Sequence, residues 1–384
     1  MPPGQGERAM ARVALELQPC CGNRSGIGTY AYELARRLHD GDGLEFQGNV
    51  FNFLGRNDNR AALEGISMPI NECRLFPYGV YRRIWHTAPP RYDRLFRPAD
   101  LSLFFNYIVA PRIQGKTVVT ICDLTYLRFP ETMNRSNLER IRRDIDYSLE
   151  RSSRIITISE FVRRELHELL HIPLDLIAVV PCAPSLHDRL LPVESVLGKY
   201  GIRRPYLLYV GTIEPRKNLT RLLKAFEYLK AEAGVPHQLV LAGGSGWNNE
   251  EIYRTAKGLS CAEDVIFTGF VSAEEKNTLY KNAAAFIFPS IYEGFGIPPL
   301  EAMRFGCPVV AADAASLPEV VGDAARLVDP YDEASIANGI FSVIDDREYA
   351  QSLIQKGRLQ EKKYTWDASA EKLRLLCKEV LKGT

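Results

Sequence analysis

Two doubly wound α/β domains facing each other across a cleft are what this sequence predicts, on three observations. Short β-branched runs alternate with amphipathic segments along nearly the whole chain, the pattern of parallel sheets covered by helices on both faces. At 384 residues the chain exceeds what one hydrophobic core usually serves. Strand-like Leu176 to Val180 then gives way to Pro181, Pro184 and Pro192, a break that places the boundary near residue 190. The domains are therefore expected at 1–190 and 191–365, with a terminal helix over 366–384 crossing back to the first domain.

In the first domain, Arg12 to Leu17 reads as a strand leading through Gly22–Gly28 into a helix over Thr29 to Leu38. Further strands are expected at 101–105, 117–121 and 154–158, and a helix over Phe161 to Leu169. The second domain is clearer. Tyr206-Leu-Leu-Tyr-Val210 is apolar throughout, as a strand buried on both faces must be. It precedes a helix from Leu219 to Ala231. Strands follow at 238–242, 265–268, 285–288, 308–311 and 325–328, with helices from about Glu250 and over Ala273 to Asn282 between them. Leu373, Leu376 and Val380 mark the apolar face of the last helix. Facing sheets of this kind form a cleft at their carboxyl ends, where ligands bind.

Composition excludes several function classes. Lys plus Arg number 48 against 47 Asp plus Glu, so no global charge draws the chain to nucleic acid. No apolar run approaches the ~20 residues that span a bilayer. The first ten residues lack the apolar middle of a secretory signal, and the expected location is cytoplasmic. The eight cysteines show no C-x-x-C spacing; they read as reduced, buried thiols, and no metal or other cofactor is expected.

The chemistry concentrates in Phe288 to Gly306. A strand ends there, the loop Ile291-Tyr-Glu-Gly-Phe-Gly296 follows, and Pro298 and Pro299 open a helix over 300–305 that Gly306 terminates. Gly294 and Gly296 allow close approach of the backbone to a ligand, and the helix start presents free N–H donors to phosphate. Glu301 on the helix is placed to accept from a ribose diol, and Glu293 on the loop from a sugar ring. A plain turn with two solvated acids is the competing reading. The second cluster is Gly211-Thr-Ile-Glu-Pro-Arg-Lys-Asn218, which sets Arg216 and Lys217 just before a helix. Cations held there would stabilise a departing diphosphate.

The stretch Pro289-Ser-Ile-Tyr-Glu-Gly-Phe-Gly-Ile-Pro-Pro-Leu-Glu-Ala-Met-Arg-Phe-Gly306 resembles the hallmark of retaining glycosyltransferase family 4, the group 1 glycosyltransferases, at each of its fixed positions. The resemblance implies two Rossmann-like domains in a GT-B arrangement. It also implies a nucleotide-sugar donor, with Glu301 on the ribose, Glu293 toward the sugar, and Gly294, Phe295 and Gly296 lining the donor site. Arg216 and Lys217 match the family's R-K pair on the donor phosphates, after Gly211. Val271 matches a position near the base, Gly243 a strand-end glycine, and Gly26 and Gly28 a loop that approaches donor phosphate and acceptor. Many relatives have His-Asp where this chain has Cys122-Asp123. Asp123 keeps a role toward a sugar hydroxyl. Cys122, a poor hydrogen-bond donor, reads also as a small buried residue, and Ser159 as a helix N-cap that some relatives place near the cleft.

The implied function is retaining, metal-independent hexosyl transfer to a glycan or lipid-linked acceptor in cell-surface polysaccharide assembly, with GDP-mannose ahead of a UDP-sugar as donor. The chain is closest in look to bacterial polysaccharide mannosyltransferases. The alternatives are a sugar-nucleotide epimerase of related architecture and a non-catalytic nucleotide-sugar-binding protein. Residues 78–97 carry Tyr81, Trp85 and Tyr92 among five arginines and one acid. They read either as a patch touching the inner membrane face or as a solvated helix with its aromatic rings packed inward.

Overall fold

The computed structural model describes residues 10–22, 25–55, 59, 61–85, 87–88, 90–184 and 187–383. Within them the first sheet contains β1 (Ala11–Glu16), β2 (Leu44–Phe51), β3 (Ile70–Cys73), β4 (Leu101–Phe104), β5 (Lys116–Thr120), β6 (Arg154–Thr157) and β7 (Ile177–Val179), in the order β3-β2-β1-β4-β5-β6-β7. The second contains β8 (Tyr206–Val210), β9 (Gln238–Ala242), β10 (Val265–Gly269), β11 (Ala285–Phe288), β12 (Val309–Ala312) and β13 (Ala325–Val328), in the order β10-β9-β8-β11-β12-β13. Neighbouring strands pair parallel in both sheets. The chain thus forms two doubly wound α/β domains. Strand order reverses between β1 and β4 and again between β8 and β11, and ligands bind outside the carboxyl ends at such points.

The apolar strands β8, β11 and β12 are buried at each position, because helices cover both faces. β2 and β3 escape the sequence reading. Leu44-Glu-Phe-Gln-Gly-Asn-Val-Phe51 sets Glu45, Gln47 and Asn49 on one face and Leu44, Phe46 and Val50 on the other, an alternation without the continuous apolar run of the central strands, and β3 is a four-residue edge strand.

Two helix starts differ from expectation. The first helix spans Gly26–Ala35 rather than beginning at Thr29, because Ser25 caps it by accepting from the Gly28 N–H. Gly26 and Gly28 therefore lie inside its first turn and not in a preceding loop. The helix after the Glu293 loop spans Ile297–Arg304, so Pro298 and Pro299 occupy its first turn, where their missing N–H groups break no bond.

The helix Trp366–Lys382 lies on the first domain. Trp366 meets Tyr30 edge to face at 6.1 Å, Ser369 donates to the Pro181 carbonyl at 2.8 Å, and Asp42 receives both Arg374 and Lys378 at 3.0 Å. All eight cysteines are free, and seven are buried. No helix among the described residues is long and apolar enough to cross a membrane. Tyr81 and Tyr92 of the basic aromatic segment are buried in the core beside Phe51, Phe96 and Phe104, so these two rings are not surface groups.

Candidate active site

The second domain's carboxyl edge builds most of the site. A Cβ on Gly211, just past β8, would meet the Tyr209 hydroxyl at 2.6 Å, and one on Gly243 would meet the Gly211 carbonyl oxygen at 1.9 Å. The loop after β9 meets the loop after β8 only because Gly243 has no side chain, and Gly211 leaves room for the Tyr209 hydroxyl. Asn218 takes a left-handed conformation, and its amide nitrogen donates to the carbonyls of Pro289 at 3.1 Å and Pro330 at 2.6 Å. That ties the turn carrying Arg216 and Lys217 to the loop after β11.

Both cations converge on Glu293. Lys217 Nζ donates to Oε1 at 2.5 Å and Arg216 Nη1 to Oε2 at 3.1 Å. Arg216 also donates to Glu214 Oε1 at 2.8 Å and the Tyr292 carbonyl at 2.6 Å. Burial opposes the charge on Glu293, but Lys217 and Arg216 outweigh it and hold the carboxyl at about 2. Burial likewise opposes the charge on Arg216, and Glu293 and Glu214 push its pKa above the ordinary guanidinium value instead.

Glu301 is buried on its helix, with both carboxylate oxygens accepting from Lys276 Nζ at 2.7 and 2.8 Å and one from the Tyr280 hydroxyl at 3.2 Å. Nothing local in the sequence marks Lys276. It follows the capping box Ser272–Glu275 and meets Glu301 only through the fold.

The first domain approaches at Gly294. A Cβ there would lie 2.0 Å from the Cys122 carbonyl oxygen, so that crossing demands glycine. Ser159 Oγ donates to the Gly294 carbonyl at 2.7 Å and caps the helix Glu160–Leu170 by accepting from Val162 N–H. The Tyr292 hydroxyl accepts from Leu124 N–H at 2.9 Å and donates to the buried Glu165 at 2.5 Å. Sequence reasoning passed over Tyr292 and Glu165, whose partners lie on other elements, and Glu214, whose partner Arg216 stands two residues away in the same turn. The Cys122 thiol is buried and its pKa is pushed well above that of a free thiol, chiefly by that burial.

A cavity of about 230 Å³ lies between the domains. Gly26, Cys122 and Asp123 line it from the first, and Gly211, Lys217, Glu293, Gly294, Phe295 and Gly296 from the second. Arg216 stands behind Glu293, and Gly28 is buried within its helix. Gly243 supports Gly211, Ser159 supports Gly294, and Glu301 and Val271 are buried outside the cavity lining.

The model of "Glycosyl transferases group 1" matches residues 198–360, and that of "Glycosyltransferase Family 4" matches residues 24–186. The O-antigen chain mannosyltransferase B of Escherichia coli is 30% identical over 359 residues, which are 89% of this chain and 93% of that protein. The serotype-specific mannosyltransferase WbdA of the same organism is 30% identical over 272 residues, 68% of this chain but 33% of that longer protein. Among solved structures, sucrose-phosphate synthase from Thermosynechococcus elongatus superposes with a TM-score of 0.74 at 18% identity, covering 97% of this chain and 100% of that one. Anabaena Alr3699/HepE in complex with UDP-glucose gives 0.72 at 17% identity, covering 96% and 100%. Both share this GT-B fold. With paired cations and carboxylates at the second domain's switch point and both halves of the chain matched, the chain belongs to the family 4, group 1 glycosyltransferases.

Proposed function

We propose that this glycosyltransferase moves a mannosyl residue from GDP-mannose, with a UDP-sugar as second choice, to a glycan or lipid-linked acceptor in cell-surface polysaccharide assembly. The observation that carries the reading is the Arg216–Glu293–Lys217 cluster facing Asp123 across the cavity. The mannosyltransferase relatives favour the donor sugar.

In this reading the donor diphosphate draws Lys217 and Arg216 away from Glu293 and receives N–H groups from the start of the helix Ile297–Arg304. Freed of the cations, Glu293 accepts from the sugar hydroxyls, while Glu301, with Lys276 beside it, takes the ribose. Gly211, Gly294, Phe295 and Gly296 shape the donor site, Gly243 holds Gly211 in place, and Val271 is assigned to the base. Gly26 at the helix start, with Gly28 buried behind it, approaches the donor phosphate and the acceptor, and Asp123 beside Cys122 meets a sugar hydroxyl. As the C1–O bond to phosphate breaks, charge grows on the diphosphate between two cations. The acceptor oxygen bonds C1 from the same face, and its proton passes to the departing phosphate oxygen. That route retains anomeric configuration and needs neither an imidazole at position 122 nor a metal.

Nucleoside diphosphate release from a panel of nucleotide sugars, with and without a chelator, tests the reading. GDP-mannose should turn over fastest, with an axial anomeric product and no loss in chelator. Lys217→Ala and Glu293→Ala should each lower kcat by roughly 10²–10³ while leaving the folded spectrum intact. Near-normal turnover in either variant, or epimerisation without transfer, would overturn the assignment.

A further inference from the structure

Glu301 already has most of its hydrogen-bonding capacity in use. Its Oε1 accepts from Lys276 Nζ at 2.7 Å, and its Oε2 accepts from the same nitrogen at 2.8 Å and from the Tyr280 hydroxyl at 3.2 Å. The Glu301 side chain is 9% exposed and does not line the cavity between the domains, whereas that of Lys276 is 24% exposed. Lys276 is thus the member of the cluster that solvent reaches most.

Lone pairs decide what a ribose must do here. A carboxylate offers roughly four acceptor positions, and Lys276 and Tyr280 fill three of them. A vicinal diol that donates both hydroxyls to Glu301 brings two donors to one open position, so one present bond has to be given up. Tyr280 is the fixed partner. Its ring is fully buried, edge to face with Phe286 at 5.2 Å and stacked on Phe305 at 6.3 Å. Lys276 carries three donors on a flexible stem, and can release one oxygen while keeping the other.

The helix beneath them is anchored. Lys276 and Tyr280 stand four residues apart on the helix Ala273–Asn282, so both reach one carboxylate on the helix Ile297–Arg304. On either side of Lys276, Glu275 closes the capping box and Asn277 Nδ2 donates to the His187 carbonyl at 2.7 Å. With the backbone held, the exchange falls to the lysine side chain.

We propose that Lys276 is a positioning residue for donor binding: it holds Glu301 as a stand-in for the ribose diol, and withdraws to one carboxylate oxygen when the two hydroxyls arrive. The inference rests on the assignment of Glu301 to the ribose above and adds the residue that aims that carboxylate and yields to the diol.

Inhibition by GDP and by 2′,3′-dideoxy-GDP, measured on the full chain with GDP-mannose as donor, reads the diol directly. The wild type should bind GDP about tenfold more tightly than the dideoxy compound. In Lys276→Arg the planar fork keeps both oxygens and the ion pair survives, so the melting temperature should stay within about two degrees of wild type. The donor KM and the GDP inhibition constant should nevertheless rise about tenfold, with kcat changed less than about twofold and dideoxy-GDP inhibition unaltered. Lys276→Met, which leaves Glu301 without its cation, should raise the donor KM and also lower the melting temperature. If Lys276→Arg restored the donor KM together with the melting temperature, the lysine would be a structural partner only and the proposal would fall. It would fall equally if Lys276→Arg left the ratio of GDP to dideoxy-GDP inhibition unchanged. Equal inhibition of the wild type by the two compounds would overturn the ribose assignment of Glu301 and the proposal with it. Inhibition by UDP but not GDP would overturn only the guanine donor, and UDP against 2′,3′-dideoxy-UDP then decides the role of Lys276 by the same ratio.

Discussion

Burial sets the charge of Glu16. It pushes the carboxyl up to about 8, against the pull of the Gln18 backbone N–H and the Arg82 guanidinium, so the group is protonated at neutral pH. A carboxyl whose folded pKa is raised stabilises the fold relative to its charged form only while the proton stays on. The penalty is absent below 4.5, grows as pH rises from 4.5 to about 8, and is complete above, on the order of 5 kcal/mol. Glu16→Gln removes the titration. Its melting temperature should exceed that of the wild type by several degrees at pH 9, and the gap should shrink as pH falls toward 4.5. Thermal melts across that range check it, and an offset independent of pH would show that Glu16 does not titrate between these limits. The opposite case is Glu293, held ionised by Lys217 and Arg216, whose stabilisation fades only as pH falls from 4.5 toward about 2.

At the scale of elements, the loop from Pro289 to Gly296 is shaped by what must pass beside it. Gly294 lets the Cys122 carbonyl through, and Ser159 fixes its own carbonyl from the far side. Gly294→Ala would place a methyl 2.0 Å from that oxygen, which forces either the loop or the domain contact to yield. The variant should keep its fold yet lose at least tenfold in kcat/KM for the donor; unimpaired kinetics would mean the two domains do not meet this way during turnover. The grouping of Arg216 and Lys217 with Glu293 was legible in the sequence because its parts are local: two glutamates on one loop and helix, two cations beside one strand end. The helix start at Gly26 was not, because glycine propensity argues for loop and only the Ser25 cap reverses it. Lys276 on Glu301, Tyr292 on Glu165 and Arg82 acting on Glu16 join residues 25, 127 and more than 60 positions apart, and no local pattern carries such pairings.

At the scale of the whole molecule, the cleft is held closed by contacts that converge on one helix of the first domain. Both carboxylate oxygens of Glu319 accept from the first two N–H groups of the helix Glu160–Leu170, each at 2.8 Å. They fill donors that the helix cannot satisfy itself and meet its positive end. The Tyr292–Glu165 and Ser159–Gly294 bonds lie alongside. A hydrogen bond to a charged group contributes about 1.5–3 kcal/mol, and roughly 5.5 kcal/mol separates a domain pair closed 99 times in 100 from one closed once. Removing the two Glu319 bonds therefore shifts a large share of that balance. Glu319→Ala should enlarge the radius of gyration in solution scattering without ligand, and GDP should restore compactness. Kinetically, the donor KM should rise several-fold while kcat falls less, because closure is recovered from binding energy and the catalytic groups are untouched. Scattering curves that match the wild type with an unchanged donor KM would assign the closed form to the packing of Tyr292 against Phe129 and Phe161 instead of to the Glu319 latch.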